Sequence, residues 1–213
     1  MGGNGSRALR IGVLALQGDF ALHRKALERC GVESVEVRKP EDLAEIDGLI
    51  IPGGESTTLL KLMEAWDFVP ALRAFHAAGK PLFGTCAGLI ILARDVEQPR
   101  QFSLGLIDAA VERNAYGRQR ESFEAAGMAT LDGRPTPIEM IFIRAPRIRR
   151  LGPAAEALAE REGEPVMARE GTVLVATFHP ELTDDIAVHR YFCDMVAAAR
   201  DTGRQPAPSG RTS

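Results

Sequence analysis

Lys80-Pro81-Leu82-Phe83-Gly84-Thr85-Cys86-Ala87-Gly88-Leu89-Ile90-Ile91-Leu92-Ala93 is the stretch that decides how this chain folds. Residues 80–84 form an apolar run of strand length, a Gly-flanked turn follows, and residues 89–93 read as a helix. A strand that runs directly into a helix is the repeating unit of a parallel α/β sheet. The same rhythm extends towards the N-terminus, with a strand over 9–16, a helix over 19–30, a second strand over 35–37 and a third over Gly48–Ile51. Pro52-Gly53-Gly54 halts the third strand, and Ser56 is placed to cap a helix carrying Leu59, Leu60 and Met63. Residues 70–78 read as another helix. From 104 to 178 short strand-like runs (105–112, 138–143, 165–169 and 172–178) predict antiparallel additions to the sheet. Residues 184–200 predict a closing amphipathic helix with Ile186, Tyr191, Met195 and Val196 among its core residues. The expectation is a three-layer α/β fold: a mixed, mostly parallel sheet with helices on both faces.

Composition narrows the classes of function. The chain has 213 residues, 45% apolar and 26% charged, with a formal net charge of −3. At about 150 residues per domain this allows one large domain or two small ones. No repeat or linker divides the middle, so one domain over 9–200 is expected. The Gly-rich start, 1–8, and the polar tail, 201–213, read as disordered extensions. No apolar run approaches the roughly 20 residues that cross a bilayer, so no membrane partner is expected. The charge balance gives no general attraction to nucleic acid. Arg147, Arg149 and Arg150 read as a solvated face. Cys30, Cys86 and Cys193 form no CxxC pair and the start has no signal-peptide core, which predicts a reducing, cytoplasmic setting. His23, His76, His179 and His189 lack metal-ligand spacing, so no metal is expected.

Gly84-Thr85-Cys86-Ala87-Gly88 is the sharpest chemical signal. It sets one side chain at a tight turn between strand and helix, the arrangement of a nucleophile elbow with cysteine in the central place. The helix N-terminus beyond Cys86 favours the thiolate, and backbone N–H groups there can hold an oxyanion. A buried structural cysteine is the alternative. Cys30 and Cys193 lie on helical faces and read as core. A cysteine nucleophile needs a base and a group to orient it. Phe178-His179-Pro180-Glu181 offers both, because residues two apart in extended backbone point the same way and Pro180 biases His179 towards that geometry. The other three histidines lie in helical stretches and read as surface or satisfied residues. Pro52-Gly53-Gly54-Glu55-Ser56-Thr57-Thr58 follows a parallel strand at the edge where open α/β sheets bind ligands. It lacks both the dinucleotide fingerprint and the P-loop lysine. Arg113 and Arg144 each follow a strand-like run, and arginine suits bidentate recognition of a carboxylate; a solvated surface charge is the alternative for each.

Taken in order, PGGESTT, GTCAGLIILA, VERNAYGRQRESFE, FIRAP and TFHPELTDD resemble the class I glutamine amidotransferase family, and within it the glutaminase subunits of pyridoxal 5′-phosphate synthase. The resemblance covers about residues 10–198. The elbow and HPE carry the class, whereas VERN…GRQ…SFE and FIRAP carry the narrower group. It implies a flavodoxin-like sheet and a Cys86–His179–Glu181 triad. It also implies L-glutamine bound by Gly54, Glu55, Ser56, Arg113, Ile143 and Arg144, with Gly53, Gly54 and Ala87 at the oxyanion hole. No cofactor is implied for glutamine hydrolysis. A synthase subunit is the implied partner in a multimeric complex; the free glutaminase would be nearly inactive until docking reorders the Gly-Gly peptide and ammonia passes to the synthase. Two other readings use the elbow alone. A cysteine hydrolase of the same broad fold would turn over without a synthase, and a redox-sensing binding protein would tolerate loss of His179 and Glu181.

Overall fold

The computed structural model describes residues 7–113 and 122–203. In chain order the elements are β1 (Arg10–Leu14), α1 (Phe20–Arg29), β2 (Glu33–Val37), β3 (Gly48–Ile51), α2 (Ser56–Ala65), α3 (Phe68–Ala77), β4 (Leu82–Thr85) and α4 (Ala87–Leu92). They continue with β5 (Ala93–Glu97), β6 (Ile107–Glu112), β7 (Ser122–Leu131), β8 (Arg134–Ile143), β9 (Arg147–Leu151), β10 (Glu156–Arg161), β11 (Glu164–Glu170), β12 (Val173–Ala176) and α5 (Ala187–Gly203). Short 3-10 turns occupy Pro40–Glu45 and Pro180–Leu182.

The main sheet has nine strands in the order β2-β1-β3-β4-β12-β11-β10-β7-β8. Its first five strands are mutually parallel, and their order is the flavodoxin-like one. β3, β4 and β12 are buried along their whole length, as strands covered on both faces must be. Alternate residues feed two cores. Leu49 and Ile51 join the core under α2, α3 and α4, while Ile50 joins the one under α1 and α5. The helices present apolar faces of matching period. Phe68, Leu72 and Phe75 are buried on α3, and Val188, Tyr191, Phe192, Met195 and Val196 on α5. The expected three-layer α/β architecture is therefore what the chain adopts. Among the described residues no helix is long and apolar enough to cross a membrane.

Several local expectations need correction. The run at 105–112 does not extend the main sheet. As β6 it pairs with β5 and β9 in a separate three-stranded sheet. There Ile107, Ala109 and Val111 meet the core under α2–α4, a better home for alternating apolar residues than a sheet edge. Glu55, not Ser56, caps α2, its carboxylate accepting from Thr57 N at 3.1 Å and Thr58 N at 2.7 Å. The longer side chain reaches N–H groups that the Ser56 hydroxyl, already inside the first turn, does not. α5 begins after Ile186, which is only half-buried, and runs through Gly203, three residues into the stretch read as a tail. Cys30 is half-buried rather than core. The sequence reading does not predict β5, β7, β9 or β10, and Ala93, expected to end a helix, opens β5. The Arg147, Arg149 and Arg150 side chains are matched by carboxylates: Arg150 lies 2.8 Å from Asp108 and 3.1 Å from Asp95, and Arg149 pairs with Glu112 and Glu164. Arg147 meets Glu164 as well.

Candidate active site

The site is built at the carboxyl ends of β1, β3, β4 and β12, where a sheet of this order leaves its crevice. β4 ends at Thr85 and α4 begins at Ala87, so Cys86 makes the turn by itself, at φ 48° and ψ −100°. A non-glycine residue in that region carries strain of about 1–3 kcal/mol, held in place by its surroundings. The flanking glycines explain how the surroundings fit. A Cβ on Gly88 would lie 2.1 Å from the Ile51 carbonyl oxygen, and one on Gly84 would lie 2.6 Å from the Gly88 backbone. The Cys86 N–H donates to the Ala176 carbonyl at 2.9 Å, which pins the elbow to β12.

His179 arrives from the other side of the same strand pair. Its N–H donates to the Ile141 carbonyl at 2.8 Å, linking the end of β12 to β8 and so bringing Ile143 and Arg144 to the crevice. The extended geometry expected for His179-Pro180-Glu181 is not what aligns the pair. His179 has φ −109° and ψ 87°, and Pro180–Leu182 winds into a 3-10 turn that carries Glu181 back beneath the imidazole. The outcome is nevertheless a bond between His179 Nδ1 and Glu181 Oε1 of 2.8 Å, buried from solvent. The other face of the ring meets Gly53, where an added Cβ would stand 2.3 Å from His179 Cε1. Burial disfavours a charge on His179, but hydrogen bonding to Cys86 and to Glu181 outweighs it and pushes the imidazole up to about 10. Burial would raise Glu181, yet His23 and His179 beside it hold the carboxyl down at about 2. The pair therefore favours a carboxylate beside an imidazolium.

Cys86 and His179 open onto a cavity of about 240 Å³ lined also by Asp19, Gly54, Glu55, Ser56, Ile90, Arg113, Ile143 and Arg144. Eight sequence-predicted residues thus share one wall: Cys86, His179, Gly54, Glu55, Ser56, Arg113, Ile143 and Arg144. Glu181, Gly53 and Ala87 do not line it: Glu181 and Gly53 pack against the His179 ring, and Ala87 opens α4 in the core. Arg113 reaches Thr57 Oγ1 at 3.1 Å and Glu55 Oε1 at 3.5 Å. Ser56 Oγ donates to Gln101 Oε1 at 3.1 Å. Arg144 is exposed and left-handed at φ 43°, which turns the chain at the cavity rim. Partial burial would raise Glu55, but the N–H groups of Thr57 and Thr58 bring it down to about 2. Asn114 and the Gly117-Arg118-Gln119 segment of the VERN…GRQ motif lie outside the described residues. Among the described residues no cluster of three or more His, Cys, Asp or Glu side chains could hold a metal ion.

Residues 13–198 match the SNO glutamine amidotransferase family. The chain belongs to that family. This glutamine amidotransferase is 56% identical over 88% of its length to the pyridoxal 5′-phosphate synthase subunit PdxT of Koribacter versatilis, covering 96% of that relative. It is 50% identical over 90% of its length to the PdxT of Niallia circulans, covering all of it. A crystal structure of a glutamine amidotransferase superposes with a TM-score of 0.82 at 48% identity, covering 88% of this chain and 98% of the other.

Sequence reasoning missed four polar residues near the triad. Asp19 lines the cavity from the end of the β1 loop. Gln17 Nε2 donates to the Glu55 carbonyl at 3.0 Å, and Gln101 takes the Ser56 hydroxyl. His23, read as a surface or satisfied helix residue, is fully buried with its Nε2 3.3 Å from Glu181 Oε2. Its i, i+3, i+4 spacing with Ala26 and Leu27 was the available signal, since it puts His23 on the buried face of α1.

Proposed function

We propose that this glutamine amidotransferase hydrolyses L-glutamine to L-glutamate and ammonia, and that ammonia passes to the synthase subunit of a pyridoxal 5′-phosphate synthase. The observation that carries the reaction is the line from Cys86 through His179 to Glu181 at the mouth of a cavity with two arginines. The partner rests on the PdxT relatives, which this chain covers nearly end to end. The family match over 13–198 likewise supports one catalytic domain over 9–200. Multimeric assembly with the synthase, activation on docking and a cytoplasmic setting belong to the same proposal. The free thiols of Cys30, Cys86 and Cys193 suit a reducing compartment.

The chemistry is acyl transfer. Cys86 Sγ, its proton held on His179, attacks the side-chain amide carbon of glutamine. The tetrahedral oxyanion is assigned to backbone N–H groups of the Gly53-Gly54 segment, which reaches the cavity at Gly54, and of Ala87 at the start of α4. Collapse breaks the C–N bond, and His179 gives its proton to the leaving ammonia. The same imidazole then takes a proton from water as it attacks the glutamyl thioester, so glutamate leaves and Cys86 is restored. Glu181 keeps the Nδ1–H side of His179 occupied and stabilises the imidazolium throughout. Arg113 and Arg144 supply charge for the substrate carboxylate, while Glu55, Ser56 and Ile143 shape its surroundings.

A glutamine-derived chloroketone tests the nucleophile directly. Intact and peptide mass spectra should show one adduct, on Cys86, slowed by added L-glutamine. Equal labelling of Cys30 or Cys193, or labelling that glutamine does not slow, would contradict the assignment.

A further inference from the structure

His23 on α1 and His189 on α5 are fully buried and take no part in the steps above. Glu181 uses one oxygen for His179, and its other oxygen, Oε2, lies 3.3 Å from His23 Nε2. His23 Nδ1 in turn lies 2.9 Å from His189 Nε2. The ring of Phe83 stands edge-on to both, its centroid 6.4 and 6.3 Å from theirs, so the pair is set in an apolar wall. We propose that His23 and His189 are positioning residues: they extend the Cys86–His179–Glu181 line into the core and keep the Glu181 carboxylate charged and aimed at His179. The inference rests on the glutaminase reading above.

Counting donors and acceptors selects one direction for the line. An ionised carboxylate only accepts, so His23 Nε2 must carry its proton to serve Oε2. Its Nδ1 is then a bare acceptor, and His189 Nε2 must donate to it. His189 Nδ1, buried without a partner, is left as a lone pair. The reverse order would set a lone pair of His23 against the carboxylate and bury an unpaired N–H on His189, which is the costlier error. Thr85 Oγ1, 3.3 Å from His23 Nε2, accepts a share of the same proton in the favoured order. The 3.3 Å approach to Oε2 is not an aligned hydrogen bond, and Oε2 has no other hydrogen-bond partner among the described residues. Such contacts tighten when a substrate loads the line.

Burial also decides the charge. It lowers His23, against the pull of Glu181 and Asp19 and with the push of His179. It takes His189 down to about 3, with His23 and Arg29 acting in the same sense and Glu181 opposing. Both rings are therefore mainly neutral near pH 7, and His23 sets its Nε2–H 3.3 Å from Oε2 without cancelling the charge on Glu181. Two leucines would fill this apolar wall without burying four ring nitrogens. The polarity serves Glu181, with Thr85 Oγ1 beside it.

The test takes the complex with a synthase subunit and compares wild type with His23→Phe, which keeps ring volume without a donor, and His23→Gln, which keeps an amide N–H near Nε2. Glutamate release by His23→Phe should fall about 10- to 100-fold in kcat with KM within about twofold of wild type. The acid limb of kcat should move to higher pH, because Glu181 is protonated sooner and the imidazolium loses its support. His23→Gln should recover most of the rate. On the wild-type chain, long-range 15N–1H spectra should show both rings neutral and protonated on Nε2, a readout that survives if His23→Phe does not fold. A wild-type complex that releases no glutamate overturns the glutaminase reading and this inference with it. An active wild type with His23 protonated on Nδ1, or a folded His23→Phe with the wild-type rate and pH profile, overturns this inference alone.

Discussion

The Glu55 carboxylate accepts the N–H groups of Thr57 and Thr58 at the start of α2 and lies 3.5 Å from Arg113. One side chain thus closes a helix end and holds a cavity arginine in place. Its folded carboxyl sits at about 2 against an ordinary 4.5, so the sign is that of a stabilising anion. The stability it adds is complete above about pH 4.5 and is lost as pH falls towards 2. Glu55→Ala should lower stability near neutral pH by about 1 kcal/mol, the usual worth of a cap. Urea titrations at pH 7 and at pH 3 check it: the gap between variant and wild type should shrink at the lower pH, and a constant gap would mean that the cap is not the source.

Helices and strands carry the site because of how they meet. α4 lies against β3 closely enough that Gly88 touches the Ile51 carbonyl, and this contact sets where Cys86 points. Gly88→Ala should therefore cost about 1–3 kcal/mol through overpacking, and more if the strand shifts. Thermal unfolding should show a lower Tm, together with slower alkylation of Cys86; an unchanged Tm would show that α4 gives way freely. The elements that place Cys86 were legible in the sequence because each is a continuous apolar run ended by Gly or Pro. The strands absent from the sequence reading, β5, β7, β9 and β10, lack that pattern. β7, Ser-Phe-Glu-Ala-Ala-Gly-Met-Ala-Thr-Leu, buries only Ala129 and Leu131 and pairs with β8 over ten residues. Its one strong signal is the Asp132-Gly133 turn, with φ of 48° and 74°, the chemistry of a two-residue hairpin. β10, Glu-Ala-Leu-Ala-Glu-Arg, is made of good helix formers and is a strand only because β11 and β7 pair with it. At the site, Cys86, His179 and Glu181 were legible from local motifs. Asp19, Gln17 and Gln101 were not: Asp19 lines the cavity from a loop, Gln17 and Gln101 reach Glu55 and Ser56 from loops, and no local spacing encodes those approaches.

At the scale of the whole molecule the parallel strands bring distant segments to one edge. Gly54, Cys86, Arg144 and His179 come from four separate stretches of chain, and all line one cavity at the carboxyl ends of the strands. The arginine-rich β9 is tied across its sheet to Asp95, Asp108 and Glu112 and to Glu164 on β11, which leaves little free positive charge for a polyanion. The central claim is that this edge splits glutamine for a synthase. Glutamate release from L-glutamine, measured for the chain alone, with a pyridoxal 5′-phosphate synthase subunit, and with Cys86→Ala in the same mixture, tests it most directly. The account predicts strong release only in the presence of the partner, and none from Cys86→Ala. A mixture that forms the complex yet releases no glutamate, or release that survives loss of Cys86, would contradict it.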